Sequence, residues 1–271
     1  MRIDAHQHFW RMDSRAGQWP PPELAAIHRD FLPPDLLPLI EREGVDGTIL
    51  VQSLPSEADT DFLLDIAGRH GFIRGVVGWT DLTAADAPQR VAALATHRKL
   101  KGLRPMVQDE AADWLDNPAL DPAARAMVAA GLRFDALVLP RHLPSLWRFA
   151  RRHPALPIVI DHAAKPDIAT GGTPNWAADM AALAELPNVW CKLSGLLTEA
   201  GDRTGIDDIR PYTDRLIALF GTGRLIWGSD WPVLRLAGDY AGWLEMCRRL
   251  VPLPDHRAVF GGNAAAFYGL T

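Results

Sequence analysis

Eight short β-like runs recur along the chain, most of them followed by an amphipathic helical stretch, and this alternation limits the fold more than any other feature. The runs lie at 2–6 (RIDAH), 46–52 (DGTILVQ), 73–79 (IRGVVGW), 100–105 (LKGLRP), 132–138 (LRFDALV), 157–162 (PIVIDH), 188–194 (NVWCKLS) and 224–230 (RLIWGSD). A spacing of about 30 residues per unit is the rhythm of a parallel sheet built from βαβ crossovers. Helical stretches such as DLLPLIERE, DFLLDIAGRH, RAMVAA and DRLIALF fall between them, and Gly44, Gly71, Gly131 and Gly221 sit where helix C-caps are expected. Eight such units predict an α/β fold closed into a (β/α)8 barrel rather than an open sheet. No linker, low-complexity tract or charge run divides residues 1–271, so one domain is expected.

Composition narrows the function classes. With 48% hydrophobic residues in 271 the chain has enough apolar material for a large core. A net charge of −5, with the charges scattered, supplies no basic stripe for nucleic acid or an anionic membrane surface. The N-terminus lacks an apolar signal core, and no apolar run approaches the roughly 20 residues needed to span a bilayer. Only Cys191 and Cys247 occur, without a CxxC pair, so a reduced, cytoplasmic setting is expected. No heptad seam or edge-strand signal indicates an oligomeric state.

The first run ends in two histidines, His6 and His8, separated by one residue. In a strand, residues i and i+2 project from the same face, so both imidazoles aim at one place. About 220 residues later the last run ends in Asp230. Two imidazoles and a carboxylate are a donor set for one divalent cation, zinc first among candidates. Closing the barrel brings the three together, and catalytic groups in such barrels stand at the C-terminal strand ends. Long polar or Pro/Gly-rich segments follow runs 1, 6 and 7, consistent with loops over that rim. The polar and aromatic residues at those ends are His6, His8, Trp10, Gln52, Trp79, Arg104, His162, Lys165, Lys192, Asp230 and Trp231.

The segments IDAHQHFW, VQ, KGLRP, IDHAAKP, CKLSG and GSDWP, in that order from first strand to last, resemble the amidohydrolase superfamily. More narrowly they are similar to its sugar lactonase branch, typified by L-fuconolactonase and L-rhamnonolactonase. The resemblance implies a TIM barrel, hydrolysis of a cyclic ester, and a site on His6, His8, His162 and Asp230. Many superfamily members carry a carboxylate or modified lysine on strand 4 and a histidine on strand 5, which bind a second metal. Here strand 4 ends in Arg104 and strand 5 has no histidine. Any metal is therefore expected to be single, with routes open both with and without it, and a metal-dependent decarboxylase, the alternative reading, lacks its strand 5 ligand.

Opening a lactone needs an activated water, a group on the carbonyl oxygen and a proton for the leaving alkoxide. Asp230 is the expected general base, with His162, Arg104 and Lys165 as candidates to stabilise the oxyanion. Trp10, Gln52, Trp79 and Trp231 are expected to contact a small sugar lactone, and Trp19, Phe31 or Leu197 to form an apolar niche. Each assignment has a structural alternative: Asp230 as a helix cap, His162 as a core histidine, Arg104 and Lys165 paired with carboxylates at the barrel mouth, and Lys192 paired with Asp161 or Asp4. The remaining histidines, His28, His70, His97, His142, His153 and His256, read as ordinary surface residues.

Overall fold

All eight expected strands form, at Ile3–Gln7 (β1), Gly47–Val51 (β2), Ile73–Gly78 (β3), Leu100–Leu103 (β4), Arg133–Ala136 (β5), Ile158–Ile160 (β6), Val189–Leu193 (β7) and Leu225–Trp227 (β8), in a computed structural model that describes residues 1–15, 17–172 and 175–270. They pair in parallel, in chain order from β1 to β8. The two ends of the sheet meet just past the strands. Gln7 bridges Trp231, the Asp230 N–H donates to His6 O at 2.8 Å, and the His8 N–H donates to Trp231 O at 2.8 Å. A TIM barrel results, its seam lying where the two histidines and Asp230 stand. Ala16, Thr173 and Pro174, inside two of the long segments, lie outside the described residues.

Helices α1 (Pro33–Glu43), α2 (Glu57–Arg69), α3 (Ala87–Leu94), α4 (Leu120–Ala129), α5 (Leu143–Arg152), α6 (Trp176–Ala184), α7 (Ile206–Phe220) and α8 (Tyr240–Leu250) surround the strands. Their boundaries follow local chemistry. Pro33 and Pro34 open α1, where missing N–H groups cost nothing, Asp35 accepts the Leu32 N–H at 2.9 Å, and Gly44 ends the helix at φ 62. Gly131 is also left-handed, at φ 68. Gly71 departs from expectation: α2 stops at Arg69 and His70 is extended at φ −124, so no left-handed cap is needed there.

The core has two parts. One fills the space between strands and helices, with Leu36, Leu63, Phe134, Phe149, Leu216 and Trp243 among its members. The other fills the barrel itself: Ile3, Ala5, Ile49, Val51, Val77, Val159 and Ile226, capped by Ala264, Phe267 and Tyr268. The last three belong to α9 (Asn263–Tyr268), a short helix with no counterpart in the sequence reading that plugs the N-terminal end of the barrel. His142 and His153 correct another expectation. Both are buried: the Leu139 N–H donates to His142 Nδ1 at 3.0 Å, His142 Nε2 meets Glu110 O at 3.1 Å, and His153 Nε2 contacts Asp121 at 2.8 Å.

Candidate active site

The register of β1 shifts between Asp4 and Gln7. Such a bulge lets two successive residues share a face. Ala5 packs in the barrel interior, and His6, the next residue, also reaches inward. Asp4 turns the other way, accepting from Ser229 N–H at 2.8 Å, Ser229 Oγ at 2.6 Å and Tyr240 OH at 3.1 Å. It thereby ties β1 to the segment carrying Asp230, and burial pushes its carboxyl up to about 6.

Two glycines make room for the histidines. A Cβ on Gly228 would come within 2.7 Å of His6 Cβ, and one on Gly195, itself at φ 64, within 2.5 Å of His162 Nδ1. The backbone is strained as well. His162, Ala163, Ala164 and Lys165 form a left-handed turn at φ 52–60, and Asp230 lies at φ 59. Each such non-glycine residue costs about 1–2 kcal/mol, and conformations of this kind concentrate at functional sites. Nothing in the pattern IDHAAKP announces the turn.

The three atoms expected to hold a metal do converge. His6 Nε2 lies 3.2 Å from His8 Nε2, His8 Nε2 lies 3.2 Å from Asp230 Oδ1, and His6 Nε2 lies 3.7 Å from Asp230 Oδ1. Donors about 2.0–2.1 Å from a tetrahedral zinc are about 3.3 Å apart, so the spacing fits. His8 Nδ1 meets Val51 O at 2.7 Å, which fixes its hydrogen there and leaves Nε2 free as a ligand. His162 Nε2 stands 3.8 Å from the same Asp230 oxygen, and its Nδ1 pairs with Ser194 Oγ at 2.9 Å. Burial would raise the Asp230 carboxyl, but the imidazoles of His162, His8 and His6 outweigh it and hold the group below the usual carboxylate range. Burial pushes His162 down to about 4, so its ring is neutral at neutral pH.

Beneath this group runs a buried chain of charges. Lys192 Nζ lies 2.6 Å from Asp135 Oδ2, 2.9 Å from Asp161 Oδ1 and 3.1 Å from His6 Nδ1. Tyr268 OH donates to Asp135 Oδ2 at 2.6 Å, and Arg104 Nη1 donates to Asp161 Oδ2 at 3.2 Å. Lys192 thus takes Asp161 as partner, as the sequence allowed, with Asp135 in place of Asp4. The signal for Asp135 was present in the period of β5, where it falls two residues before Leu137 on the inward face. Arg104 also donates to Gln52 O, while Gln52 Nε2 donates to Arg104 O at 2.7 Å.

A cavity of about 480 Å³ opens at the C-terminal strand ends, lined by His8, Arg104, His162, Lys165 and Asp230. Lys165 Nζ pairs with Glu199 at 3.4 Å on its wall. The other expected contacts stand elsewhere. Trp10 is fully buried, donating from Nε1 to Arg29 O at 2.7 Å and packing on Trp19 and Phe31. Trp231 packs edge-on against Phe9 and Phe31, Gln52 lies buried behind Arg104, and none of these, nor Trp79, lines the cavity. Of the expected apolar niche, Trp19 lines it, whereas Phe31 and Leu197 do not. The sequence reading missed Met106, Gln108 and Asp109, from the 104–119 segment after β4, and Leu137. Leu137 follows β5 directly and lines the cavity, so an alkyl group faces it there.

Comparison with known proteins gives the family. A family model described as amidohydrolase matches residues 3–270. The L-fucono-1,5-lactonase of Burkholderia ambifaria is 57% identical over 275 residues, covering 98% of this chain and 95% of that protein. A second L-fucono-1,5-lactonase, from Burkholderia multivorans, is 37% identical over 286 residues, covering 100% of this chain and 96% of that one. The crystal structure of an amidohydrolase from Burkholderia multivorans with bound zinc superposes with a TM-score of 0.93 at 37% identity, over 100% of both chains.

Proposed function

The chain belongs to the amidohydrolase family, and from that premise we infer that it is a hydrolase opening the ring of a sugar acid lactone to the free acid. The observation that carries this reading is that Asp230, Arg104, His162 and Lys165 line one cavity. It provides a carboxylate to take a proton, and cations and an imidazole to meet a carbonyl oxygen. The two lactonase relatives direct the substrate class toward an L-fucono-1,5-lactone type of ring. The cavity falls within the size range of small-molecule sites. Its alkyl lining from Met106, Leu137 and Val233 suits the C–H faces of the substrate, and Gln18, Gln108 and Asp109 suit its hydroxyls.

In the proposed reaction Asp230 accepts a proton from water as the water oxygen bonds to the lactone carbonyl carbon. Arg104 and Lys165 offset the charge that develops on the carbonyl oxygen, fixed donors of this kind each contributing on the order of 3 kcal/mol. The bond from carbonyl carbon to ring oxygen then breaks, and Asp230 returns the proton to the leaving oxygen, with neutral His162 beside it. The residues fit one divalent cation on His6, His8 and Asp230; we assign zinc to them, in line with the zinc-bound relative. When bound, such a cation supplies Lewis acidity toward the carbonyl. The carboxylate and cationic residues supply a route that does not require it.

The decarboxylase alternative needs a histidine ligand on strand 5, and β5, RFDA, carries none. Among the described residues no helix is long and apolar enough to cross a membrane. Cys191 and Cys247 are both free and buried, which suits a reducing cytoplasm. The reading is tested by following proton release from a panel of aldono-1,4- and 1,5-lactones, with carbon dioxide release from aromatic acids as the contrast. Turnover of 1,5-lactones is expected; carbon dioxide evolution without ring opening would overturn it.

A further inference from the structure

One wall of the cavity carries no titrating side chain. Beyond His8, the segments after β1 and β2 line it with Gln18, Trp19, Leu24, Ser53, Leu54 and Pro55. Such a wall can fit a substrate but cannot exchange protons with it at neutral pH. Arg15 is 2% exposed and does not itself line the cavity. Its Nη1 donates to Trp19 O at 2.9 Å, and its Nη2 donates to Ser53 Oγ at 2.7 Å and Asp59 Oδ1 at 3.3 Å. Asp59 Oδ2 in turn accepts the Ser53 N–H at 3.1 Å and the Leu54 N–H at 3.4 Å. The Arg15 guanidinium also lies 5.2 Å from the centroid of the Trp10 ring, against which Trp19 packs edge-on at 5.1 Å. One buried cation thus joins two segments distant in sequence, and each of its partners belongs to the wall or holds a residue that does. A guanidinium offers separate donors in a fixed fork, which an ammonium does not.

The order of the strands shows what this wall faces. β1 adjoins β8 at the seam, so the wall stands on the Asp230 side of the barrel mouth, while β2 lies across the ring from β6, after which His162 and Lys165 follow. The next step rests on the lactonase reading, in which Asp230 returns the proton to the ring oxygen and Arg104 and Lys165 meet the carbonyl oxygen. The ring carbon bonded to the leaving oxygen then lies toward the wall. In a 6-deoxyhexono-1,5-lactone that carbon bears a methyl group, and Trp19, Leu24, Leu54 and Pro55 offer it apolar surface. We propose that Arg15 is a positioning residue that sets substrate specificity, holding Trp19 and Ser53 where the wall closes on the alkyl substituent beside the leaving oxygen. It takes no part in the bond changes themselves.

The test compares, in the full chain, kcat/KM for a 6-deoxyhexono-1,5-lactone and for the pentono-1,5-lactone of the same ring configuration, which lacks only the methyl group. One such group in a fitted apolar pocket is worth about 10–200-fold, so the wild type should prefer the methylated lactone by at least about 10-fold. In Arg15→Met the preference should fall to within about 3-fold of unity, chiefly through a higher KM for the methylated lactone. An arginine that only supports the fold would lower both substrates alike and leave the ratio in place; that result, or a wild type with no preference, would overturn the proposal. Trp19→Ala should flatten the ratio to the same extent, and Arg15→Met/Trp19→Ala should lose no more than either alone. Additive losses would show the two residues acting independently and would also overturn it. If Arg15→Met does not fold, Arg15→Lys keeps a charge against Asp59 and carries the same comparison: a fall in the ratio of at least about 3-fold supports the proposal and an unchanged ratio overturns it. A wild type that opens neither lactone removes the lactonase reading and the proposal with it. Opening of both, with the ratio unmoved in the variants, removes the proposal alone.

Discussion

The two ends of this barrel are built on opposite principles. At the N-terminal end Ile3, Ala5, Ile49 and Ile226 meet Phe267 and Tyr268 of α9 in an apolar plug. At the C-terminal end β1 and the segments just after β1, β4, β6 and β8 deliver His6, His8, Arg104, His162 and Asp230 within a few ångströms of one another, with left-handed backbone at His162 and Asp230. One end lowers the free energy of the fold; the other uses some of it to hold charges and strained turns in place. Mutations should therefore separate cleanly, those at the floor altering stability and those at the rim altering turnover.

The largest effect should come from Asp230→Asn. Asparagine tolerates the left-handed conformation at φ 59, so the fold should survive with its melting temperature within a few degrees of wild type. General-base loss costs about 10²–10⁴-fold, so kcat for ring opening should fall by about 10³-fold or more. Retention of more than a few per cent of wild-type kcat would remove Asp230 from the role of base.

The floor supplies the converse. Phe267 is 4% exposed and packs edge-on against Tyr268 and near Trp190. Phe267→Ala should lower unfolding free energy by about 3–5 kcal/mol, the range for such truncations, measured by urea denaturation. Turnover per folded molecule should stay within about 2-fold at 25 °C. A larger fall in kcat would mean that the link from Tyr268 through Asp135 and Lys192 to His6 transmits disorder at the floor into the site.

These two ends were not equally legible in the sequence. Strand positions could be read because buried parallel strands are runs of apolar residues with turn signals between them, and all eight runs form strands. HxH and GSD could be read because period 2 and ring closure put their side chains together whatever the loops do. The tryptophans show where that logic ends. Trp10 and Trp231 sit just beyond strands whose polar neighbours face the cavity, yet their indoles stack with Phe9, Phe31 and Trp19 beneath the first long segment. Whether an aromatic residue lines a cavity or roofs the core depends on loop paths, and those are set by tertiary contacts that local pattern does not encode. The plug was missed for a related reason: NAAAFY is too short for a helical period to stand out, and only the open barrel end explains its burial.

Histidine charge offers a third, smaller test of the contrast. His162 is pushed from 6.5 down to about 4 by burial, so between those values the unfolded chain takes up a proton that the native state refuses. Stability contributed by the neutral ring is present above pH 6.5 and is lost as pH falls toward 4, by about 3 kcal/mol over the full window. His162→Gln should flatten that part of the stability–pH curve, and an unchanged slope would show that His162 takes up its proton alike in both states. Substitutions at the floor should leave the slope as it is.

The smallest effect should lie at the outer rim. Lys165 and Glu199 pair at 3.4 Å with side chains 24% and 26% exposed, so solvent screens the pair and its contribution to stability is slight. What Glu199 does instead is draw the Lys165 ammonium toward the wall of the cavity. Glu199→Gln keeps the shape and releases that pull, leaving Lys165 free to turn toward a bound carbonyl or hydroxyl. KM for the lactone should then change by about 2- to 5-fold while kcat moves less. Because the interaction is partly exposed, the difference between variant and wild type should shrink between low salt and 0.5 M, where charges more than about 4–5 Å apart are largely screened. A change confined to kcat and indifferent to salt would instead show that Glu199 sets how Lys165 meets the charge developing on the carbonyl oxygen rather than how it meets the bound lactone.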